Sequence, residues 1–172
     1  KDPGGAWRQP SAAEPPLLAE PPHELGTVAA DSVLVKGREV WLVHPWNLGT
    51  LPVLPPGTLV LGLFVGDFHR TWPWSDRRWR FVGARMAELT SHRWHGDAAA
   101  LGAALSGARR VCSIDEPHLA PWLARWAECV AAPALFPPVS GRCDSFSRWW
   151  SRATRGLQSA ADLLAVHEKA AW

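Results

Sequence analysis

The sequence has no tyrosine, one methionine and three cysteines in 172 residues. Cys112, Cys129 and Cys143 are odd in number and far apart. They form no C-x-x-C pair and no zinc spacing, so they read as reduced thiols of a cytosolic protein. No apolar run approaches the ~20 residues that a membrane-spanning helix needs. The opening KDPGG holds no apolar signal core. Lysine is scarce: of 18 basic residues only Lys1, Lys36 and Lys169 are lysines. The net charge of +2 is too small to argue for a nucleic-acid partner by itself. G-x-G-x-x-G, G-x-x-x-x-G-K-[ST] and G-x-S-x-G are all missing. Their absence removes the usual dinucleotide, P-loop and nucleophile-elbow signatures.

What the sequence has is tryptophan, twelve of them, in a chain 47% hydrophobic and 20% charged. That balance is of a folded domain with a core, and the length fits one domain with a tail. An indole can stack on a flat ligand, but its usual role is to fill a core, and burial is the preferred reading at any single position. Residues 1–26 carry Pro3, Pro10, Pro15, Pro16, Pro21, Pro22, Gly4 and Gly5 and read as a flexible, proline-rich leader. The domain then spans 27–172.

From residue 32 onward strand and helix patterns alternate. SVLVKGREVWLVH reads as a short strand, a turn at Lys36-Gly37 and a buried strand through Val40 to Val43. TLVLGLFVGD is a continuous apolar run, as in a strand buried on both faces of a parallel sheet, and it closes on Asp67. Ser75 is placed to cap a helix in which Trp79, Val82, Gly83, Met86 and Leu89 form one stripe. HRWHG is a strand, and Asp97 stands before an Ala/Leu helix. RRVCSID is a strand. Leu119, Trp122, Leu123, Trp126 and Val130 recur at helical spacing. APALFPPV reads as a last strand, and helices follow from about residue 145 to the end.

From residue 40 the order is β-β-α-β-α-β-α-β-α. It predicts a Rossmann-like, doubly wound α/β domain: a five-stranded parallel sheet with helices on both faces. Such sheets bind ligands outside the carboxyl ends of their strands, where the strand order reverses. The candidate binding residues are therefore His44, Trp46, Asn47, Asp67, Phe68, Asp115 and Glu116. Asp67 can accept from a ribose or a pterin-like ring, or cap the next loop. Asp115 and Glu116 are paired carboxylates, capable of acid–base work, but neighbours that favour the positive end of a following helix are the simpler reading. His92 and His95 are an odd number apart and face opposite sides of an extended segment, so no metal site is expected. DRRWRFVGAR can meet phosphates, yet it reads more simply as the solvated face of its helix.

These segments, in this order, resemble the N-terminal α/β domain of the DNA photolyase/cryptochrome family. TLVLGLFVGD is similar to that family's second strand, and SDRRWRFVGARMAEL to the helix after it. HRWHGDAAALGAAL, RRVCSIDEPHLAPWLARW and CDSFSRWWSRATRG resemble the segments that follow, so the likeness runs over roughly residues 38–156. In place of the family's arginine-rich turn after the first strand stands VWLVHPWNLG, and the loop to the second strand is short. The family's helical FAD domain, with its lesion pocket, needs more chain than follows residue 156. The resemblance implies an accessory domain of DNA repair or blue-light response, related to a lyase but not catalytic by itself. Its cofactor would be a folate, deazaflavin or flavin antenna, with FAD only where a separate helical domain exists. Its partner would be that flavin-binding domain or another protein, with no direct DNA contact from this chain and no membrane. A nucleotide-binding α/β enzyme is the alternative, and so is a ligand-free scaffold with an apolar docking patch that includes Trp72, Trp74 and Trp172. In CDSFSRWWSRATRG, Phe146, Trp149 and Trp150 share one helix face and Arg148, Arg152 and Arg155 another, which predicts packed indoles at a domain edge.

Overall fold

A computed structural model describes residues 16–132, 136, 139–159 and 162. They fall into two units, one ending at Val130 and one beginning at Ala131. The first unit contains β1 (Leu17–Leu18), a 3-10 turn at His23–Leu25, α1 (Ser32–Val35), β2 (Glu39–Val43) and β3 (Leu59–Val65). It continues with α2 (Gly66–Thr71), β4 (Trp74–Ser75), α3 (Asp76–Leu89), β5 (Arg93–Gly96), α4 (Ala98–Leu105), β6 (Arg110–Ile114), α5 (Ala120–Trp126) and β7 (Glu128–Val130). The second contains α6 (Phe146–Ala153).

Five strands form one parallel sheet in the order β5-β3-β2-β6-β7. The chain moves outward from β2 through β3 to β5, then returns to β6 on the other side of β2. The strand order therefore reverses between β2 and β6. Right-handed crossovers running in opposite directions put α3 on one face and α4 and α5 on the other. α4 indeed packs against both α1 and α5. The middle strands are apolar on both faces because both are covered: Leu42, Leu61, Leu63 and Phe64 are fully buried. On the α3 side Trp79, Val82, Gly83 and Met86 make the stripe read from the sequence, with Leu89 only partly buried. Met86 Sδ occupies the space where a Cβ at Gly62 would lie. On the α4 side Gly102 lets the Trp126 indole approach as closely.

Four segments differ from the sequence reading. SVLV is the single helical turn α1, not a strand. Asp31 caps it by accepting from Val33 N at 2.8 Å, and both edges of β2 are already paired, so this run has no ladder to join. β3 stops at Val65, and Asp67 lies in the first turn of α2. The helix of the LAPWLARW segment ends at Trp126, so Val130 is not on its stripe; it belongs to β7, whose register puts Cys112 beside Glu128. Pro121 stands in the first turn of this short helix, and the Arg110–Glu128 ion pair at 2.6 Å crosses the new edge. That pairing makes 128–130 the fifth strand. Of APALFPPV, residues 133–135, 137 and 138 lie outside the described residues, as do most of 160–172, including Trp172.

The part of the leader that is described is paired with the body. Leu17 and Leu18 align antiparallel with Ser75 and Trp74, and Trp79 Nε1 donates to the Leu18 carbonyl at 3.0 Å. Leu25 fills the notch over Gly83, and Val28 bridges to the Trp94 edge of β5. Residues 1–15 lie outside the described residues. In the second unit Ser145 Oγ accepts from Arg148 N and starts α6. The expected burial of its indoles is not observed. Phe146 is 70% and Trp150 44% exposed, because these rings pack on one another and on Phe136 instead of under a core.

Candidate functional site

The carboxyl ends of β2, β3 and β6 converge at the reversal point. His44 follows β2 and is 1% exposed. Its Nε2 lies 3.0 Å from the Ile114 carbonyl at the end of β6. A carbonyl only accepts, so Nε2 carries the proton and donates, and the neutral ring leaves a bare lone pair on Nδ1. That Nδ1 is buried with no partner among the described residues. Burial pushes the His44 pKa down, against smaller upward contributions from the Ile114 hydrogen bond, Glu116 and Asp115. His44 thus ties two strand ends across the reversal point as a neutral ring.

Above it the turn closed by Asn47 N on the His44 carbonyl, at 2.8 Å, projects Trp46. The Trp46 ring lies flat against His118, with centroids 5.1 Å apart and planes 8° from parallel. It meets Phe68 edge-on at 4.9 Å and Trp74 edge-on at 5.8 Å. With Leu17, Trp72, Pro73 and Arg78, these rings line a cavity of about 450 Å³.

Trp46 and Phe68 are the two sequence candidates that the cavity contains. Glu116 acts one step behind: it accepts from the His118 backbone N at 3.1 Å and from ring Nδ1. When the ring is neutral, that contact places its proton on Nδ1 and leaves Nε2 an acceptor. Asp115 is exposed. Asp67 is committed to the scaffold. Its Oδ2 accepts from Ala98 N at 2.6 Å, at the head of α4. Its Oδ1 pairs with Arg70 at 3.0 Å, and Arg70 reaches on to Asp97 at 2.7 Å. The hydrogen bond from Ala98 is the main reason the Asp67 pKa lies below the ordinary carboxylate value, with Arg70 adding to it against desolvation. His44, Asn47, Asp67, Asp115 and Glu116 are not among the lining residues.

Four lining residues carried no sequence signal strong enough to place them here. Trp72 and Trp74 stand in the TWPWS turn, where two indoles around a proline mark a loop but not its destination. Arg78 begins α3 and lies over the Trp74 ring, Cζ 4.1 Å from its centroid. His118 sits in the turn before α5. Beneath the cavity His69 is 1% exposed. Trp74 and Trp79 approach it at 4.4 Å each, and Phe64 and Phe68 complete the box. Its Nδ1 has no partner among the described residues. Burial, reinforced by His95 and Arg78, lowers its pKa to about 3.

Among the described residues no group of three or more His, Cys, Asp or Glu side chains is placed to hold a metal. Nor is any described helix long and apolar enough to cross a membrane. No family model, curated protein or solved structure matches the chain.

Proposed function

We propose that this chain is a ligand-holding α/β domain of the photolyase/cryptochrome type, which seats a planar heteroaromatic chromophore at the carboxyl ends of β2, β3 and β6. The ligand class is a folate, deazaflavin or flavin. The role is accessory, in DNA repair or blue-light response, alongside a flavin-binding helical partner. The observation that carries the reading is the aromatic cavity at the reversal point, with Trp46 framed by Phe68, Trp74 and His118. Its volume of about 450 Å³ lies within the range of small-ligand pockets. Its aromatic lining suits a flat ring, and His118 Nε2 supplies an acceptor for a ring N–H. A bound chromophore of this kind supplies light absorption. The residues present hold and orient the ring, and no proton transfer is asked of them.

The nucleotide-enzyme alternative is weaker on geometry. In dinucleotide sites a helix follows the first strand and its N-terminus receives the pyrophosphate. Here residues 44–58, between β2 and β3, contain no helix. Titration of the purified protein with FMN, a deazaflavin and folate, followed by tryptophan fluorescence and ligand absorbance, tests the proposal. Quenching and a spectral shift are expected for at least one. Trp46→Ala should weaken that binding by roughly tenfold to a hundredfold, the scale of losing one stacking ring. No response to any of the three, or binding untouched by Trp46→Ala, overturns it.

A further inference from the structure

We infer that the cavity selects an anionic ring ligand, a planar heteroaromatic whose carboxylate or phosphate is held by Arg78 while His118 accepts a ring N–H. This rests on the reading of the cavity as a ring site and adds the charge of its occupant. Arg78 lies in the first turn of α3, where the helix dipole is already positive and a cation is disfavoured unless an anion offsets it. Asp76, the carboxylate of the same helical turn, is engaged by Arg80 at 2.7 Å. Arg78 itself has no carboxylate partner among the described residues, and its guanidinium makes no hydrogen bond to them. What holds it is the Trp74 face, 4.1 Å below. A guanidinium held over a ring still presents N–H groups at its edge, the geometry suited to a carboxylate or phosphate fork. Its charge also reaches inward, since it is one of the groups that lower the His69 pKa.

The other polar group is His118. Glu116 takes its Nδ1–H, and the flat contact with Trp46 fixes its plane. His118 meets Trp46, Trp46 meets Trp74, and Trp74 meets Arg78. Two indoles therefore separate His118 from the cation. A ring seated between them would present an N–H to His118 and an acidic tail to Arg78.

The test uses ligand pairs that keep the ring and remove the charge: FMN against riboflavin, and folate against its dimethyl ester. The full chain is titrated with each, at low and high salt, by tryptophan quenching. The expected result is at least a tenfold preference for the charged member of one pair, shrinking with salt. Arg78→Gln should abolish that preference, bringing the charged member's affinity down to that of the uncharged one. His118→Phe, which keeps an aromatic ring against Trp46 but removes the acceptor, should weaken both members of the pair equally. A phosphate source shows in the flavin pair and a carboxylate source in the folate pair. Equal binding of charged and uncharged members overturns the inference and leaves the ring site standing. Binding of none of the four overturns both. Equal loss of both members in Arg78→Gln shows that Arg78 only packs on Trp74, and likewise overturns it.

Discussion

Asp67 shows how a carboxylate at a strand end can be structural. It reaches an amide 31 positions away, at the head of α4, where Asp97, the residue next to that helix, makes no side-chain cap because it turns to Arg70. Adjacency in sequence pointed to Asp97, and no local pattern reports a cap from so far away. Asp67→Ala should cost about 1 kcal/mol, the usual worth of a cap, read by urea unfolding at neutral pH. Asp67→Asn keeps an acceptor oxygen and should lose less. The two substitutions also differ from wild type in acid. The folded-state pKa of Asp67 is depressed, so its stabilisation is present above the ordinary carboxylate value near 3.8 and is lost as pH falls through the lower folded value. Asp67→Asn should flatten that part of the acid limb; an unchanged limb would show that the carboxylate charge contributes nothing.

At the scale of elements, α6 and α3 make opposite use of tryptophan. Both helices were legible from sequence, α3 from the Ser75 cap and its apolar stripe, and α6 from aromatic spacing alone; in the structure Ser75 accepts from Arg78 N, and Ser145 from Arg148 N. What spacing cannot report is whether a core exists on the far side of the stripe. Trp79 in α3 is fully buried under Phe64 and His69 and donates to Leu18. In α6, Trp150 is 44% exposed among Phe136, Phe146 and Trp149, and the arginines fasten the loop before the helix. Arg142 and Arg148 pair with Asp144, and Arg152 reaches the carbonyls of Ser140 and Arg142. Trp79→Ala should therefore cost about 3–5 kcal/mol, the range for emptying a buried aromatic site. Trp150→Ala should cost about 1–2 kcal/mol, since part of its ring already faces solvent. Equal losses in a urea titration of the two variants would contradict the difference in burial. The SVLV turn fails to read for a related reason: four apolar residues fit a strand equally well until the edges of β2 are known to be taken.

For the molecule as a whole, alternation of strand and helix was enough for a parallel, doubly wound sheet, and the candidate strand ends do gather around the β2–β6 reversal point. The strand order was not written in the periodicity, since it depends on where each crossover lands. The rings that line the cavity come from loops whose direction only the packed sheet determines. The same packing buries His44 and His69 and partly buries His95, and desolvation is the first cause of a lowered pKa in each. The fold should consequently be acid-sensitive above the carboxylate range. In the unfolded chain a histidine takes its proton near 6.5, whereas His69 in the folded protein does so at about 3. Between those values only the unfolded state is protonated, so stability falls as pH drops through the window and is fully retained above it. From pH 7.5 to 5.5 the His69 contribution alone is about 1.4 kcal/mol. His69→Phe keeps an aromatic ring in the box of Phe64, Phe68, Trp74 and Trp79 and removes the titration. Whatever the substitution does to absolute stability, the difference between urea unfolding energies at the two pH values should be smaller in the variant by about that amount. Identical differences would mean that His69 is protonated in the folded protein, and that the aromatic box admits water to its Nδ1.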